Sequence, residues 1–363
     1  CDGALMDLKE LFTGKKKLVG LDIGSSSLKL AEITSTSGGY VLNRFRQIPL
    51  APGVIVDGAL ENPAALTATI KELFRNSGCR GKGIVTSLSG NSVIVKKITL
   101  AQMAESDLHE LIRDEAGKYL PFDNMNDVNF DFQILGDNEF NPNQMDVIIV
   151  AAKKADVNGY VDAIRSAGLS VMIMDVDSFA LETMYEENYD FESNEIIVIV
   201  NIGASLTNIN VIRGGMSVFT RDFALAGNTV TEGLQERYQL SMEEAESMKK
   251  DGISGSEDEN IELRNAILEC AEPICSEIER SVDYFRSTFG GDYIKHVYLA
   301  GGSSRITGLK SLLSERLNIE VELINPLLKI NYNKKNIDPG KLESIKSIGA
   351  VAIGLGLRKM GDK

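Results

Sequence analysis
The residues best suited to chemistry lie in one turn. Asp22-Ile23-Gly24-Ser25-Ser26-Ser27-Leu28-Lys29 places a carboxylate, a glycine, three hydroxyls and a primary ammonium within eight positions. Such a set suits a phosphate. Gly24 lets the backbone approach a ligand, the serines offer N–H and O–H donors, Asp22 could hold Mg2+ through water, and Lys29 could reach a phosphate oxygen. The same stretch, LVGLDIGSSSLKLAEI from Leu18 to Ile33, also fits an ordinary hairpin: an apolar run, a polar turn, then alternation. Taken alone, the hairpin is the commoner structure.

The stretch recurs. Val200 to Ile212 repeats its layout at a constant offset of 179, which sets Asn201 on Asp22, Gly203 on Gly24 and Ser205 on Ser26. Each copy leads into a further strand, Tyr40 to Phe45 after the first and Met216 to Arg221 after the second, so both halves begin as a three-stranded meander. Two phosphate-sized turns half a chain apart predict two similar domains across a cleft, with a nucleotide between them. On that reading Gly203, Ala204, Ser205 and Thr207 join the first turn in holding phosphate.

The bulk properties agree. At 363 residues the chain exceeds what one hydrophobic core serves. A net charge of −14, with no basic run longer than Lys15-Lys16-Lys17, argues against a nucleic-acid surface. Cys1, Cys79, Cys270 and Cys275 form no CxxC and lack the companions of a zinc or iron-sulfur site, and read as reduced thiols of a cytoplasmic protein. No apolar run approaches the roughly 18 residues of a membrane span, and no signal-peptide core is present. Cys1 to Leu5 reads as an addition ahead of a start at Met6. Leu8, Leu11 and Phe12 ahead of the lysines suit a frayed terminus better than a membrane-touching helix.

The elements that position these turns follow in order. Asn62-Pro63 opens a helix that Gly78 closes, and a strand follows near Gly83 to Ser87. Val93 to Val171 reads as an inserted α/β subdomain. It comprises a strand, a helix over Ala104 to Lys118, a stop at Leu120-Pro121-Phe122 and a strand over Val128 to Leu135. A turn over Asn138 to Asn143, a strand over Asp146 to Ala152, a helix over Ala155 to Ala167 and a strand over Ser170 to Met174 complete it. Thr229 with Glu232 and Ser241 with Glu244 each fit a capping box. Asp251 to Asn260 is an acidic loop, and Ile261 to Phe289 a long helix with a bend at Pro273. Lys295 to Ala300 is a strand feeding Gly301-Gly302-Ser303, with a helix from Ile306. Ser347 to Leu357 closes the chain as a small-residue helix.

In this order the pieces resemble the actin/Hsp70/FtsA superfamily. Asp22 to Lys29 and Asn201 to Thr207 match its two phosphate loops, Asp175 to Leu181 and Ser347 to Leu357 its connecting segments, and Leu299 to Gly308 its adenosine loop. The insert is similar to that of the FtsA-like branch. Its wording, Glu115-Ala116-Gly117-Lys118-Tyr119-Leu120-Pro121-Phe122 and Asp127-Val128-Asn129-Phe130-Asp131-Phe132, is similar to that of the PilM family of type IV pilus assembly.

The resemblance implies an α/β, two-domain actin-like fold with duplicated meander cores. An N-terminal segment (1–17) precedes a first domain (18–92 and 172–195) interrupted by the insert (93–171). A second domain (196–228 and 294–345) carries a helical subdomain (229–293), and a closing helix (346–363) follows. It implies ATP and Mg2+, with Asp22 and Asp177 beside the metal, Gly24, Ser25, Ser26, Ser27 and Lys29 on phosphate, Gly227, Gly301, Gly302 and Ser303 at the adenosine, and Glu246 with Lys249 on the ribose. Glu246 and Lys249, three apart on one helix face, suit a solvated ion pair equally well. Asn201 replaces the usual Asp of the second loop, and a neutral amide cannot organise Mg2+ and water, which implies binding with little or no hydrolysis. Ala226-Gly227 replaces a usual Gly-Gly.

The implied function is a cytoplasmic scaffold that binds the N-terminal cytoplasmic tail of PilN. It would work indirectly with PilO, PilP and the motor ATPase, and meet the membrane only through partners. Side chains of the Ala104 to Lys118 helix are candidate walls of the peptide groove. The first alternative is an FtsA-like division filament protein. The end of the chain at Lys363, a few residues past the core and without an amphipathic membrane helix, weighs against it. The second is an ATPase or sugar kinase, for which no catalytic base, P-loop, GxSxG elbow or His/Cys cluster stands out. His109 and His296 look uncommitted, and self-association is left open.

Overall fold
In the computed structural model, residues 18–361 are described except 123, 139, 252–256 and 290–292, with the side chains of 116, 251 and 257–259 also left aside. The N-terminal segment, with its lysines, Cys1 and Leu8 to Phe12, and the middle of the acidic loop therefore lie outside the described residues.

The first meander is β1 (Leu18–Ile23), β2 (Ser27–Thr36) and β3 (Gly39–Pro49), followed by the two-residue strands β4 (Ile55–Val56) and β5 (Ala59–Leu60). Helix α1 (Pro63–Ser77) starts where expected, with the Asn62 side chain accepting from the Ala65 amide, and ends on left-handed Gly78. β6 (Gly83–Leu88) follows, then the insert: β7 (Ile94–Ala101), α2 (Glu105–Tyr119), β8 (Val128–Asn138) and β9 (Asn141–Lys153). Next come α3 (Lys154–Ser166), β10 (Ser170–Val176) and α4 (Asp177–Asn188). The second meander is β11 (Ile196–Ile202), β12 (Thr207–Arg213) and β13 (Met216–Phe223). The rest is α5 (Gly227–Tyr238), α6 (Met242–Asp251), α7 (Glu257–Cys270), α8 (Glu272–Thr288), β14 (Ile294–Ala300), α9 (Leu309–Leu317), β15 (Glu320–Leu323), β16 (Asn331–Tyr332), α10 (Leu342–Ile348) and α11 (Ala350–Leu357).

The duplication extends past the meanders. One sheet runs β10-β6-β1-β2-β3-β16 and the other β13-β12-β11-β14-β15. In each, the meander's first strand is flanked by a parallel strand, β6 beside β1 and β14 beside β11. Strand alternation then sends side chains to different layers. Ile196, Val198, Val200 and Ile202 enter a core under the second domain's helices, while Ile197 and Ile199 pack with α4 and α11 between the two sheets.

Close approach at that middle layer depends on glycine. A Cβ on Gly354 of α11 would stand 1.8 Å from the Ala180 carbonyl oxygen of α4, and one on Gly20 of β1 would stand 2.4 Å from the Ala352 carbonyl oxygen. The small residues of these segments thus let α11 lie against β1 and α4 lie against α11. Gly349 divides that segment into α10 and α11, so it is two helices rather than one.

Several expectations need correction. The insert is narrower than 93–171: its own sheet is β7-β9-β8 under α2, whereas β10 pairs in parallel with β6 and belongs to the first domain's sheet. Its hairpin is also tighter, since the Asn-rich stretch pairs as strand from Asn141, opposite Asn138. The long helix breaks at Ala271 into α7 and α8, because Pro273 belongs to a new first turn. Thr229 is not an N-cap. It is the third residue of α5, and its hydroxyl accepts from the Ala226 amide at 3.2 Å. The other box holds, with Ser241 N donating to Glu244 Oε2 at 2.8 Å and Glu244 N to Ser241 Oγ at 3.3 Å. A 3-10 turn over Gly302–Arg305 precedes α9, which begins at Leu309.

Candidate nucleotide cleft
Both turns close in the same way. Gly24 N donates to Ser27 O at 3.2 Å, and Gly203 N to Leu206 O at 2.9 Å. They meet across the domain boundary, where Ser205 Oγ donates to Ser25 Oγ at 2.8 Å. Ser26 is exposed beside them. Ser27 is buried and accepts from Gln47 Nε2 at 3.0 Å, which makes it a support for the turn. Thr207 does not reach the cleft: it is fully buried and donates to the Leu225 carbonyl at 2.7 Å.

Asp22 and Lys29 are cross-strand partners in β1 and β2, and Lys29 Nζ lies 2.9 Å from Asp22 Oδ2. The corresponding positions of the second half are Asn201 and Asn208, also partners in register, with Asn201 Nδ2 donating to Asn208 Oδ1 at 3.0 Å. An ion pair in one half is therefore an amide pair in the other. Asp177, the first residue of α4, accepts from Ser87 Oγ at 2.5 Å. Burial pushes its carboxyl up to about 7, and the neighbouring charge of Asp22 pushes the same way, against the Ser87 hydrogen bond. Two carboxylates so placed would be relieved by a cation. Among the described residues no group of three or more His, Cys, Asp or Glu side chains is arranged to hold a metal.

The expected adenosine residues converge on the start of α5. Gly227 N donates to Gly203 O at 3.1 Å and Asn228 N to Ala204 O at 2.7 Å, so the second turn occupies the helix's first donors. These contacts also move the helix start to Gly227 from the expected Thr229. Ser303 Oγ donates to Gly203 O at 2.8 Å, which ties the adenosine loop to the same turn. Gly301 has φ 87°, and a Cβ there would meet the Ile202 carbonyl oxygen at 2.3 Å, whereas a Cβ on Gly302 would enter open space. Gly302 is exposed.

Glu246 and Lys249 form a pair at 2.6 Å rather than a solvated one, since the Lys249 side chain is only 7% exposed. Lys249 also donates to Gly227 O at 2.9 Å and Thr231 Oγ1 at 2.8 Å, which uses all three ammonium protons. Thr231 Oγ1 donates to Glu246 Oε2 at 2.7 Å, and Lys250 Nζ lies 2.9 Å from Glu246 Oε1. Burial raises the Glu246 carboxyl, but these hydrogen bonds outweigh it and bring it down to about 2. Of the pair, Glu246 is the more exposed, at 31% against 7% for the side chains.

The histidines stay outside this cleft's chemistry: His109 packs edge-on to Phe132, and His296 Nδ1 lies 3.4 Å from Glu320 Oε2. Cys270 and Cys275 are free thiols. Sequence reasoning missed Ser87, Asn208, Asp222 and Thr231. The 179-residue offset that set Asn201 on Asp22 also sets Asn208 on Lys29 and could have found it. Ser87, Thr231 and Asp222 carry no local signal. No helix among the described residues is long and apolar enough to cross a membrane.

The family model described as type IV pilus assembly protein PilM matches residues 20–360. Among solved structures, the PilM-PilN type IV pilus biogenesis complex is similar at TM-score 0.84 and 30% identity, over 95% of this chain and 99% of that one. The ethanolamine utilization protein EutJ from Carboxydothermus hydrogenoformans is similar at TM-score 0.56 and 16% identity, over 93% of this chain and 88% of that one. MreB5 of Spiroplasma citri, solved bound to AMPPNP, is similar at TM-score 0.50 and 14% identity, over 93% of this chain and 94% of that one. The last two speak to the fold alone, which is actin-like.

Proposed function
The chain belongs to the PilM family of type IV pilus assembly proteins, and from that premise we propose that it is an ATP-binding scaffold that grips the short N-terminal cytoplasmic tail of PilN. The observation that carries this reading is the likeness to the PilM-PilN complex over 95% of the chain. On this reading the protein works in the cytoplasm and meets the membrane through PilN. It thereby links the membrane part of the machinery, PilO and PilP included, to the cytoplasmic motor ATPase. Whole-length family membership favours this reading over a division filament protein or a sugar kinase.

ATP would lie between the two turns. The first turn's Gly24, Ser25 and Ser26 and the second turn's Gly203, Ala204 and Ser205 would border its phosphates, Gly302 its adenosine and Glu246 its ribose. Mg2+ would sit on the phosphate side with Asp22 and Asp177, through water, and Lys29 would be shared between Asp22 and phosphate. Bound nucleotide supplies negative charge and a chelated cation that both domains can hold, so it stabilises the closed form by its preference for that form. Asn201 offers no charge to a metal or a water, in keeping with a ligand that is held rather than consumed.

The test is a fluorescence titration of the full chain with a PilN tail peptide, with and without Mg-ATP. Saturable binding at micromolar concentration supports the scaffold. Absence of binding in both conditions removes the partner and returns the filament and enzyme readings to the front.

A further inference from the structure
Three residues of the second sheet face one another in register across β11, β12 and β13: Asn201 opposite Asn208, and Asn208 opposite Asp222. Asn201 Nδ2 donates to Asn208 Oδ1, and against the rise that burial imposes on the Asp222 carboxyl, the buried Asn208 side chain beside it favours the charged form. At the sheet's edge the row leaves the domain. Asp222 Oδ2 accepts the Gly90 amide proton at 2.6 Å, from a residue 132 positions away in the first domain.

Gly90 sits at a junction. It opens the 3-10 turn Gly90–Ser92 that leads directly into β7, the first strand of the insert. Its φ is +63°, and a Cβ there would lie 2.7 Å from Leu206 Cδ1, which belongs to the second phosphate turn. The second turn and the root of the insert therefore touch through Leu206 and are hydrogen-bonded through Asp222. The first half shows what is particular here: its matching row, Asp22, Lys29 and Gln47, ends on Ser27 of its own turn instead of crossing to the other domain. Beside the contact lies a cavity of about 250 Å3 bounded by Gly90, Val93, Val176, Leu206, Asp222 and Phe223. It leaves the Gly90 turn room to shift, which a close-packed boundary would not.

We infer that the row Asn201, Asn208 and Asp222 links the second phosphate turn to the root of the insert, with Asp222 as the positioning residue. Drawing that turn towards a phosphate then also moves the Gly90 turn and β7. Ligand in the cleft and partner on the insert would bias the same two arrangements, with the Gly90 contact made or broken, and each would alter the other's affinity. The link rests on the reading of the cleft as a nucleotide site, but the row itself can be tested without ligand.

Hydrogen–deuterium exchange on the full chain separates the two. Without ligand, Asn201→Ala and Asp222→Ala should each speed exchange of residues 90–95 by about threefold or more, while Asp222→Asn, which keeps an acceptor for the Gly90 amide, should restore it. Unchanged exchange at 90–95 in Asn201→Ala overturns the link whatever the cleft binds. With Mg-ATP, the wild type should slow exchange at both turns and at 90–95, and Asp222→Ala should slow it at the turns only. Equal slowing at 90–95 in Asp222→Ala overturns the link. Absence of slowing at both turns refutes the nucleotide reading instead and leaves the ligand-free result to decide the link.

Discussion

Ser25 and Ser205 stand 180 positions apart in the chain and share a hydrogen bond of 2.8 Å through their hydroxyls. They join the two turns of a duplicated fold across its cleft. The bond is between neutral, part-buried groups, so it contributes only about 1 kcal/mol, and a phosphate with several acceptor oxygens could displace it. Around it the halves differ in charge. The first turn has an ion pair behind it, the second a pair of amides, and the one strong polar contact from the second row goes to the opposite domain.

Replacing Asp22 with Ala separates the structural and ligand roles of the first turn. Lys29 and Asp22 are largely buried, with side chains 15% and 10% exposed, so removal of the carboxylate leaves an ammonium without its partner. A stability loss of about 3 kcal/mol is expected from urea unfolding. The thermal shift that Mg-ATP gives the wild type should also disappear. A full-sized shift in Asp22→Ala would show that the nucleotide is held elsewhere.

Gly354→Ala tests the contact between the connecting helices. The added Cβ meets backbone, the Ala180 carbonyl oxygen at 1.8 Å, and not a side chain that could turn aside. Either α11 or α4 has to move, at a cost of about 3 kcal/mol, the upper part of the range for overpacking. Thermal unfolding gives the comparison, with Gly302→Ala, whose Cβ meets open space, as the control that should melt like the wild type. Equal melting temperatures for Gly354→Ala and the wild type would mean that the two helices are not in this contact.

The meanders were legible because a half-buried strand alternates every second residue, and the two copies supported each other. The first helix was legible from Asn62, Pro63 and Gly78, which act locally. What failed depended on partners far along the chain. β10 looks like any strand, and only its pairing with β6 assigns it to the first domain. Thr229 has the composition of an N-cap, but contacts of Gly227 and Asn228 with Gly203 and Ala204 begin the helix earlier. Lys249 reads as a ligand-facing residue, and its burial on the Gly227 carbonyl and Thr231 is a tertiary fact. Asp222 carries no motif at all.

Stability should fall as the solution passes from mildly acidic to neutral. Burial is the main cause that raises Asp177 and Glu182 to about 7 each, with Asp22 adding to the first and the Ser217 hydrogen bonds opposing the second. An unfolded chain releases these protons near pH 4, roughly, while the folded chain keeps them until about 7, so between those values the folded form binds more protons and loses stability as pH rises. Glu246, lowered to about 2, acts in the opposite sense, but its contribution is lost only as pH falls below the ordinary glutamate range. Urea midpoints should therefore be lower at pH 8 than at pH 5, with a shallower dependence in Asp177→Asn. A midpoint that rises over this interval would contradict the buried, protonated carboxyls.

Glu246 and Lys249 look alike in sequence, an acid and a base on one helix face, but the structure gives them different work. Lys249 is buried with all three protons placed, on Glu246, Gly227 O and Thr231, so it holds the start of α5 against the second turn. Lys249→Met should cost about 2 kcal/mol of stability, because it takes the buried donor from the Gly227 carbonyl and Thr231 and leaves the part-exposed Glu246 with only Lys250 and Thr231. Glu246 is 31% exposed on its side chain. Glu246→Gln keeps the shape and an acceptor for Lys249, so it should cost only about 1 kcal/mol, yet weaken nucleotide binding about tenfold through loss of a charged acceptor for a hydroxyl. Calorimetric titration with Mg-ATP and urea unfolding on both variants measure the split. If Glu246→Gln lost stability without losing affinity, the pair would be a structural tie throughout and the ribose would have to be held by other groups.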